Sequence, residues 1–187
     1  MSRSGFLFSF LNPKHEERAR SIADEEWPGV YLSVSSELLP QVREYERFST
    51  TVVNAYVGPK TASYLDRLES ELSQLGFGGE FLVILSSGGV IDGKFADRRA
   101  AWLLHSGPAG GVLAATELLA KRTAHRNLIT IDMGGTSYDV CLIGDAAPQI
   151  ASGAYVERHA VALPMFDLHT IGAGGGSIAR VDRKSVV

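Results

Sequence analysis

Residues 129–140, ITIDMGGTSYDV, constrain this chain more than any other stretch. An apolar run delivers Asp132 at its end, Gly134 and Gly135 come next, and Asp139 opens a second apolar run. Two short apolar runs joined by Gly-Gly predict a pair of antiparallel strands with a tight turn. Glycines leave the turn without a Cβ to block a ligand. Thr136 and Ser137 add hydroxyls beside them. Consecutive amides in such a turn form an anion-binding concavity. A carboxylate at a strand end suits the water shell of Mg2+, which binds through a few carboxylates plus substrate phosphates. The same residues also make a plain hairpin with two solvated aspartates, and both readings stand at this point.

Glycine is the one unusual component, 20 of 187 residues, against a common share of about 7%. It is clustered. Residues 86–94, SSGGVIDGK, come after an apolar run and approach the P-loop pattern, with Phe95 where that loop needs Ser or Thr for Mg2+. A glycine turn at a strand end is the better reading, and a degenerate P-loop using Lys94 is the rival. Residues 172–177, GAGGGS, carry Gly174, Gly175, Gly176 and Ser177. Four glycines in six residues cost backbone entropy, which close approach of a ligand or of another backbone would justify. Residues 106–111, SGPAGG, open a helix of small residues suited to close packing.

Along the chain, residues 6–10 read as a buried strand. Asn12-Pro13 starts a surface helix with Ala19, Ile22 and Ala23 inward, and Pro28-Gly29 stops it. Residues 30–34 form a second strand, and Ser35 or Ser36 caps the next helix. That helix includes residues 42–56, and Pro59 ends it or begins another, which Gly76 terminates. Residues 81–85 suit a buried strand. After residue 105 come a small-residue helix, the hairpin, two weaker strands near 149–151 and 155–161, and a stretch over 165–171 that runs into the third glycine cluster. The alternation predicts an α/β fold with a mixed sheet, organised as an α/β segment over 1–104 and a part over 105–187 that holds the helix, the hairpin and the Gly-rich loop.

Lys+Arg number 18 against 21 Asp+Glu, a net charge of −3, which argues against nucleic acid as a partner. No stretch reaches the 20 or so apolar residues of a membrane span, so no membrane partner is expected. The single cysteine, Cys141, excludes an internal disulfide framework and reads as a small buried hydrophobe. A cytoplasmic protein fits these features. The five histidines form no H-x-x-x-H pair, which disfavours a zinc hydrolase, and G-x-S-x-G is absent. His169, just before the third glycine cluster, is a candidate for catalysis or substrate orientation.

Taken in order, residues 6–19, 32–59, 84–90, 105–112, 127–140 and 169–182 resemble the hydantoinase A/oxoprolinase family. More distantly, the GPAGG helix ahead of NLITIDMGGTSYDV looks like the nucleotide-binding core of actin, sugar kinases and heat-shock chaperones. The resemblance implies an actin-like ATPase fold, a ribonuclease H-like mixed sheet flanked by helices, here incomplete. It implies ATP and Mg2+ as cofactors and ATP-dependent opening of a cyclic amide such as a hydantoin or 5-oxoproline. The alternatives it carries are an ATP-dependent ketone carboxylase subunit and a non-catalytic actin-like remnant. It implies that Asp132 holds Mg2+ through water and that Gly134, Gly135, Thr136 and Ser137 cradle phosphates. Asp139 becomes a second metal-shell or water-positioning carboxylate. Gly174, Gly175, Gly176 and Ser177 line the nucleotide crevice, with His169 near it. A second, hydantoinase B-type subunit is the implied protein partner. Against the family pattern, the N-terminal domain with the first phosphate loop and the portion beyond Asp182 are missing, and RKSVV departs from it. The expectation is an internal piece of a longer enzyme, with little or no turnover alone.

Overall fold

The computed structural model of the chain describes residues 2–178. The RKSVV ending and the 179–182 part of the resemblance lie outside the described residues. In chain order the elements are β1 (Ser2–Ser4), α1 (Lys14–Glu26), β2 (Leu32–Val34), α2 (Ser35–Leu38), α3 (Glu44–Gln74), β3 (Leu82–Ile84), β4 (Val90–Asp92) and α4 (Gly93–Ala96), then a 3-10 helix (Asp97–Leu103). Next come α5 (Ser106–Ala115), a π-helical turn (Thr116–Ala120), β5 (Leu128–Met133), β6 (Tyr138–Gly144), β7 (Ala147–Pro148), β8 (Ile150–Ala151), β9 (Ala154–Val156), β10 (His159–Val161), β11 (Met165–Phe166) and β12 (His169–Ile171). The architecture is mixed α/β, as the sequence pattern predicts.

The chain divides into two compact units. One takes the residues through Ala109 together with Ile150–Met165, the other Gly110–Gln149 together with residues 166–178. The antiparallel pair β9–β10 therefore belongs with the first unit and not with the hairpin that precedes it in sequence.

In the first unit α3 is the backbone of the packing. It runs 31 residues straight through Pro59, where the sequence reading expects a break. Proline inside a helix costs about 3 kcal/mol because it lacks the N–H and crowds the preceding turn. Burial on α3 offsets that: Val53, Ala55 and Leu65 are buried, and a buried Val or Leu side chain contributes up to about 1.5–3 kcal/mol. Gly58, just before Pro59, lies so close to the Tyr31 ring that a Cβ would collide with it. Buried Asn54 ties α3 to its neighbours: its Nδ2 donates to Ser33 Oγ (2.8 Å) and to the Arg98 carbonyl (3.1 Å), while its Oδ1 accepts from the Ala101 amide (2.9 Å). Leu39, Val53, Ala101, Val161, Leu163 and Met165 form the core cluster.

Two expectations near the N-terminus are corrected. Residues 6–10 form turns, not a strand, with Phe8 at a positive φ of 57° and Leu7 and Phe8 exposed. The loop curls because it wraps Arg47, which is fully buried. Arg47 Nη2 donates to the Phe6 carbonyl (2.6 Å), and its guanidinium carbon sits 5.5 Å from the Phe10 ring centroid and 5.1 Å from that of Phe48. Helix α1 starts after Asn12-Pro13 as expected, with Asn12 Oδ1 accepting the Lys14 amide (3.3 Å). It buries Glu16, however, and leaves Ile22 43% exposed. The Glu16 carboxylate accepts from the Phe6 amide (2.8 Å), Ser35 Oγ (2.7 Å) and the Ser36 amide (2.8 Å), which pins three segments together.

The second unit is built on one antiparallel sheet in the order β12–β6–β5, with β7 also on β6. Asp145 and Ala146 both have positive φ, 51° and 60°, as a tight two-residue hairpin turn between β6 and β7 requires.

Candidate functional site

The hairpin predicted from residues 129–140 is present. β5 pairs β6 from Leu128↔Ile143 to Met133↔Tyr138, and the Gly134 amide donates to the Ser137 carbonyl (3.0 Å), which leaves Gly135 and Thr136 as the tip. The register sets Asp132 directly opposite Asp139. On the other side of β6, Asp139 is opposite Thr170 of β12. Residues opposite one another share a face of the sheet. Asp132, Asp139 and Thr170 thus form one polar row across three strands, one register step below the end of the β5–β6 ladder.

The two carboxylates live in different surroundings. Asp139 is buried, with 8% of its surface exposed. Thr170 Oγ1 donates to its Oδ1 (2.5 Å) and Ser137 Oγ to its Oδ2 (3.2 Å), so both oxygens are engaged. Asp132 is exposed and has no hydrogen-bond or ion-pair partner among the described residues. Like charges placed directly opposite in a sheet repel, so this row is a position where a bound cation relieves repulsion. Among the described residues no group of three or more His, Cys, Asp or Glu could hold a metal by protein ligands alone. One exposed carboxylate beside a hydrogen-bonded one is a donor set that suits an ion keeping most of its own water.

The third glycine cluster lies on the hairpin. The Gly175 amide donates to the Gly134 carbonyl (3.0 Å), and a Cβ on Gly174 would stand 2.7 Å from the Thr136 nitrogen. The close approach that the composition of residues 172–177 calls for is thus made to another backbone. Gly174 is closed on itself by Ser177: its amide donates to Ser177 Oγ (3.0 Å), and the Ser177 amide returns a bond to the Gly174 carbonyl (2.8 Å). The amides of Gly135 and Thr136 donate to no group among the described residues, and both residues are exposed. Nothing lies within 4 Å of where a Gly135 or Gly176 Cβ would be. The tip amides thus have no partner among the described residues, with open space on the Gly135 side and the Thr136 nitrogen beside Gly174, and the open side suits an anion.

His169 is not brought to this row. It pairs with Val140, so strand alternation sends it to the opposite face with Ile129, Ile131 and Ile171. That outer face is apolar and exposed: Ile129 is 66% accessible and Ile131 58%. Thr170 is the site residue that sequence reasoning missed. Its signal was period two, since a hydroxyl one step from His169 falls on the Asp139 face once β12 joins β6.

The glycine loop at 86–94 is a hairpin between β3 and β4, with Gly88 at φ 81°. Lys94 Nζ is held 2.7 Å from Asp92 Oδ2 and lies 5.1 Å from the Phe95 ring centroid. That lysine is engaged by its own turn, which leaves the degenerate P-loop reading without geometric support.

Residues 47–187 match the sequence pattern of the hydantoinase/oxoprolinase family, and the chain belongs to it. The alpha subunit of caprolactamase from Pseudomonas jessenii is 37% identical over 177 residues, covering 95% of this chain and 25% of the relative. A solved structure of the ATP-dependent caprolactamase from that organism superposes with a TM-score of 0.78 at 36% identity, over 96% of this chain and 26% of the other. A nucleotide-free acetone carboxylase structure superposes with a TM-score of 0.82 at 28% identity, over 97% and 26%. The 5-oxoprolinase of Saccharomyces cerevisiae is 33% identical over 174 residues, 92% of this chain and 13% of the relative. The chain thus spans about a quarter or less of the length of these relatives.

Proposed function

We propose that the second unit is one phosphate-binding wall of an ATP site in an actin-like ATPase fold, belonging to an enzyme that uses ATP to open a cyclic amide. The observation that carries this reading is the Asp132–Asp139–Thr170 row beneath a hairpin tip with free amides. In it, Asp132 would hold Mg2+ through water. Gly135 and Thr136 offer their amides to phosphate oxygens, and the Thr136 hydroxyl stands beside them. Asp139, buried and held by Ser137 and Thr170, keeps the row in place and positions water. Gly134, Gly174, Gly175 and Ser177 fix the backbone of the cradle by their mutual bonds, and Gly176 leaves its mouth open. His169, on the opposite face, takes no part in the chemistry.

An unactivated amide resists water, and ATP supplies a phosphoryl group that turns the carbonyl oxygen into a better leaving group. What the protein contributes to phosphoryl transfer is positioning and charge neutralisation. The caprolactamase relative is named as a subunit, which supports a second, hydantoinase B-type subunit as partner. A ketone-carboxylating reaction is the second reading, favoured by the overlay on acetone carboxylase. Both share the nucleotide wall and differ in the acceptor.

Titration calorimetry of Mg-ATP with the wild-type chain and Asp132→Ala tests the wall. Binding that the substitution abolishes supports it. Equal binding by both would overturn the Asp132 assignment. Grafting residues 2–178 in place of the matching segment of a full-length relative, then comparing ADP release with 5-oxoproline, caprolactam or a ketone plus bicarbonate, separates the two reactions.

A further inference from the structure

The first unit holds a cavity of about 630 Å3 that the nucleotide reading leaves unused. Its volume lies within the roughly 300–1,000 Å3 of small-molecule sites. Six elements contribute to its lining: α1, β2, α2, β4, α4 and the 3-10 helix. Its lining includes three arginines, Arg20, Arg98 and Arg99, against one acidic residue, Glu37. Arg20 and Glu37 satisfy each other through Arg20 Nη1 and Glu37 Oε1, and Arg20 Nε also lies 3.7 Å from Asp24. The side chains of Arg98 and Arg99 have no acidic or hydrogen-bonding partner among the described residues. The neighbouring anions are occupied: Asp97 Oδ1 accepts the Arg98 backbone amide (2.6 Å), and Asp92 holds Lys94. The cavity is therefore a local basic surplus in a chain of net charge −3. Ile91 and Phe95 add apolar surface to the same lining, the latter 57% exposed.

We infer that this cavity binds a small amphipathic carboxylate, its anionic head on Arg98 and Arg99 and its apolar body against Ile91 and Phe95. The lining decides between the anions such arginines could take. A guanidinium fork matches a carboxylate or a phosphate with two parallel bonds. Exposed charges gain little from an ion alone, because water and salt screen them. Burial of an apolar body supplies the rest of the affinity. A free inorganic anion is a poor occupant for that reason, and a neutral apolar molecule leaves both guanidiniums unused.

Chemical-shift titration of the whole chain tests this with 4-phenylbutanoate, its primary amide, acetate and inorganic phosphate. The expected result is a saturable response at Ile91, Phe95, Arg98 and Arg99 with 4-phenylbutanoate, and affinity at least about tenfold weaker for the amide. Acetate and phosphate bind more weakly still. The double variant Arg98→Gln, Arg99→Gln should weaken 4-phenylbutanoate about tenfold, with circular dichroism and the unfolding midpoint unchanged. Asp132→Ala should leave the response intact, which separates this site from the nucleotide wall. No response at these residues, an amide as strong as the acid, or phosphate alone binding as tightly would each overturn the inference. The comparison of acid with amide needs no variant and so does not depend on how the variants fold.

Discussion

The Cα of Gly174 sits against the carbonyl of Gly135, so that the Gly-rich loop and the hairpin tip are in backbone contact with no room for a side chain between them. The contact is reinforced one residue on, where the Gly175 amide donates to the Gly134 carbonyl (3.0 Å). A β-carbon at Gly174 would press on backbone atoms, which cannot rotate away. Gly174→Ala should therefore destabilise the chain by about 1–3 kcal/mol, the usual cost of overpacking, and weaken Mg-ATP binding. Gly135→Ala adds a methyl to open space and should change stability by less than about 0.5 kcal/mol. Urea unfolding of the two variants checks this, and equal midpoints would show that the loop does not rest on the hairpin.

Asp132 and Asp139 should separate in the same experiment. Asp139→Asn turns one of two buried acceptor oxygens into a donor that faces a hydroxyl and should cost about 1–3 kcal/mol. Asp132→Asn removes an exposed charge that faces another across the ladder. It should leave stability unchanged or raise it by up to about 1 kcal/mol, while abolishing Mg-ATP binding. A destabilised Asp132→Asn would mean that the aspartate is structural.

His169→Ala offers a negative control. Its parity on β12 places it opposite Val140 and away from the carboxylate row. Calorimetry should give the same Mg-ATP affinity as wild type. A loss of about tenfold or more (roughly 1.4 kcal/mol) would put the histidine back in the site.

How much of this was legible depends on how local each feature is. The hairpin was written in the sequence because two apolar runs, two glycines and two aspartates lie within a dozen residues. The Gly174–Ser177 loop was legible as a close approach, but its partner, the Gly135 carbonyl, lies some 40 residues away and had no local sign. Register decided what spacing could not: Thr170 joined Asp139, and His169 fell on the other side, because β12 pairs at one position and not the next. In the first unit the errors came from tertiary override. Residues 6–10 have the composition of a strand, but they wrap a buried arginine contributed by α3. Pro59 reads as a helix end, yet burial along α3 outweighs its cost.

Glu16 predicts a pH dependence. Burial pushes its carboxyl up, and hydrogen bonds from Ser35, Ser36 and Ser9 outweigh that and hold it below the ordinary 4.5. The unfolded chain then binds the proton more readily than the folded one. Stability from this group is present in full above the unfolded value, and it is lost as pH falls below 4.5 through the lower folded value. Glu16→Gln should cost about 1–3 kcal/mol at neutral pH, because one carboxylate oxygen becomes a donor facing donors. The difference from wild type should shrink in acid. Urea midpoints across that range check it, and a gap that stays constant would remove Glu16 from the acid response.

The outer face of the β5–β6–β12 sheet supplies the last prediction. Ile129, Ile131, Met133, Leu142 and Ile171 stand on it, between 44% and 66% exposed. Contiguous apolar surface of more than a few hundred Å2 is uncommon on monomeric soluble proteins and favours association. The chain should therefore self-associate as its concentration rises. Ile131 is the place to interrupt the patch, because it sits mid-strand opposite Val140. Ile131→Lys should lower the weight-average mass seen by light scattering at high concentration. Its own stability should shift by less than about 0.5 kcal/mol, as for surface changes generally, and Mg-ATP binding on the opposite face should be untouched. An unchanged mass would mean that any association uses another surface. A large loss of stability would mean that Ile131 is covered in solution.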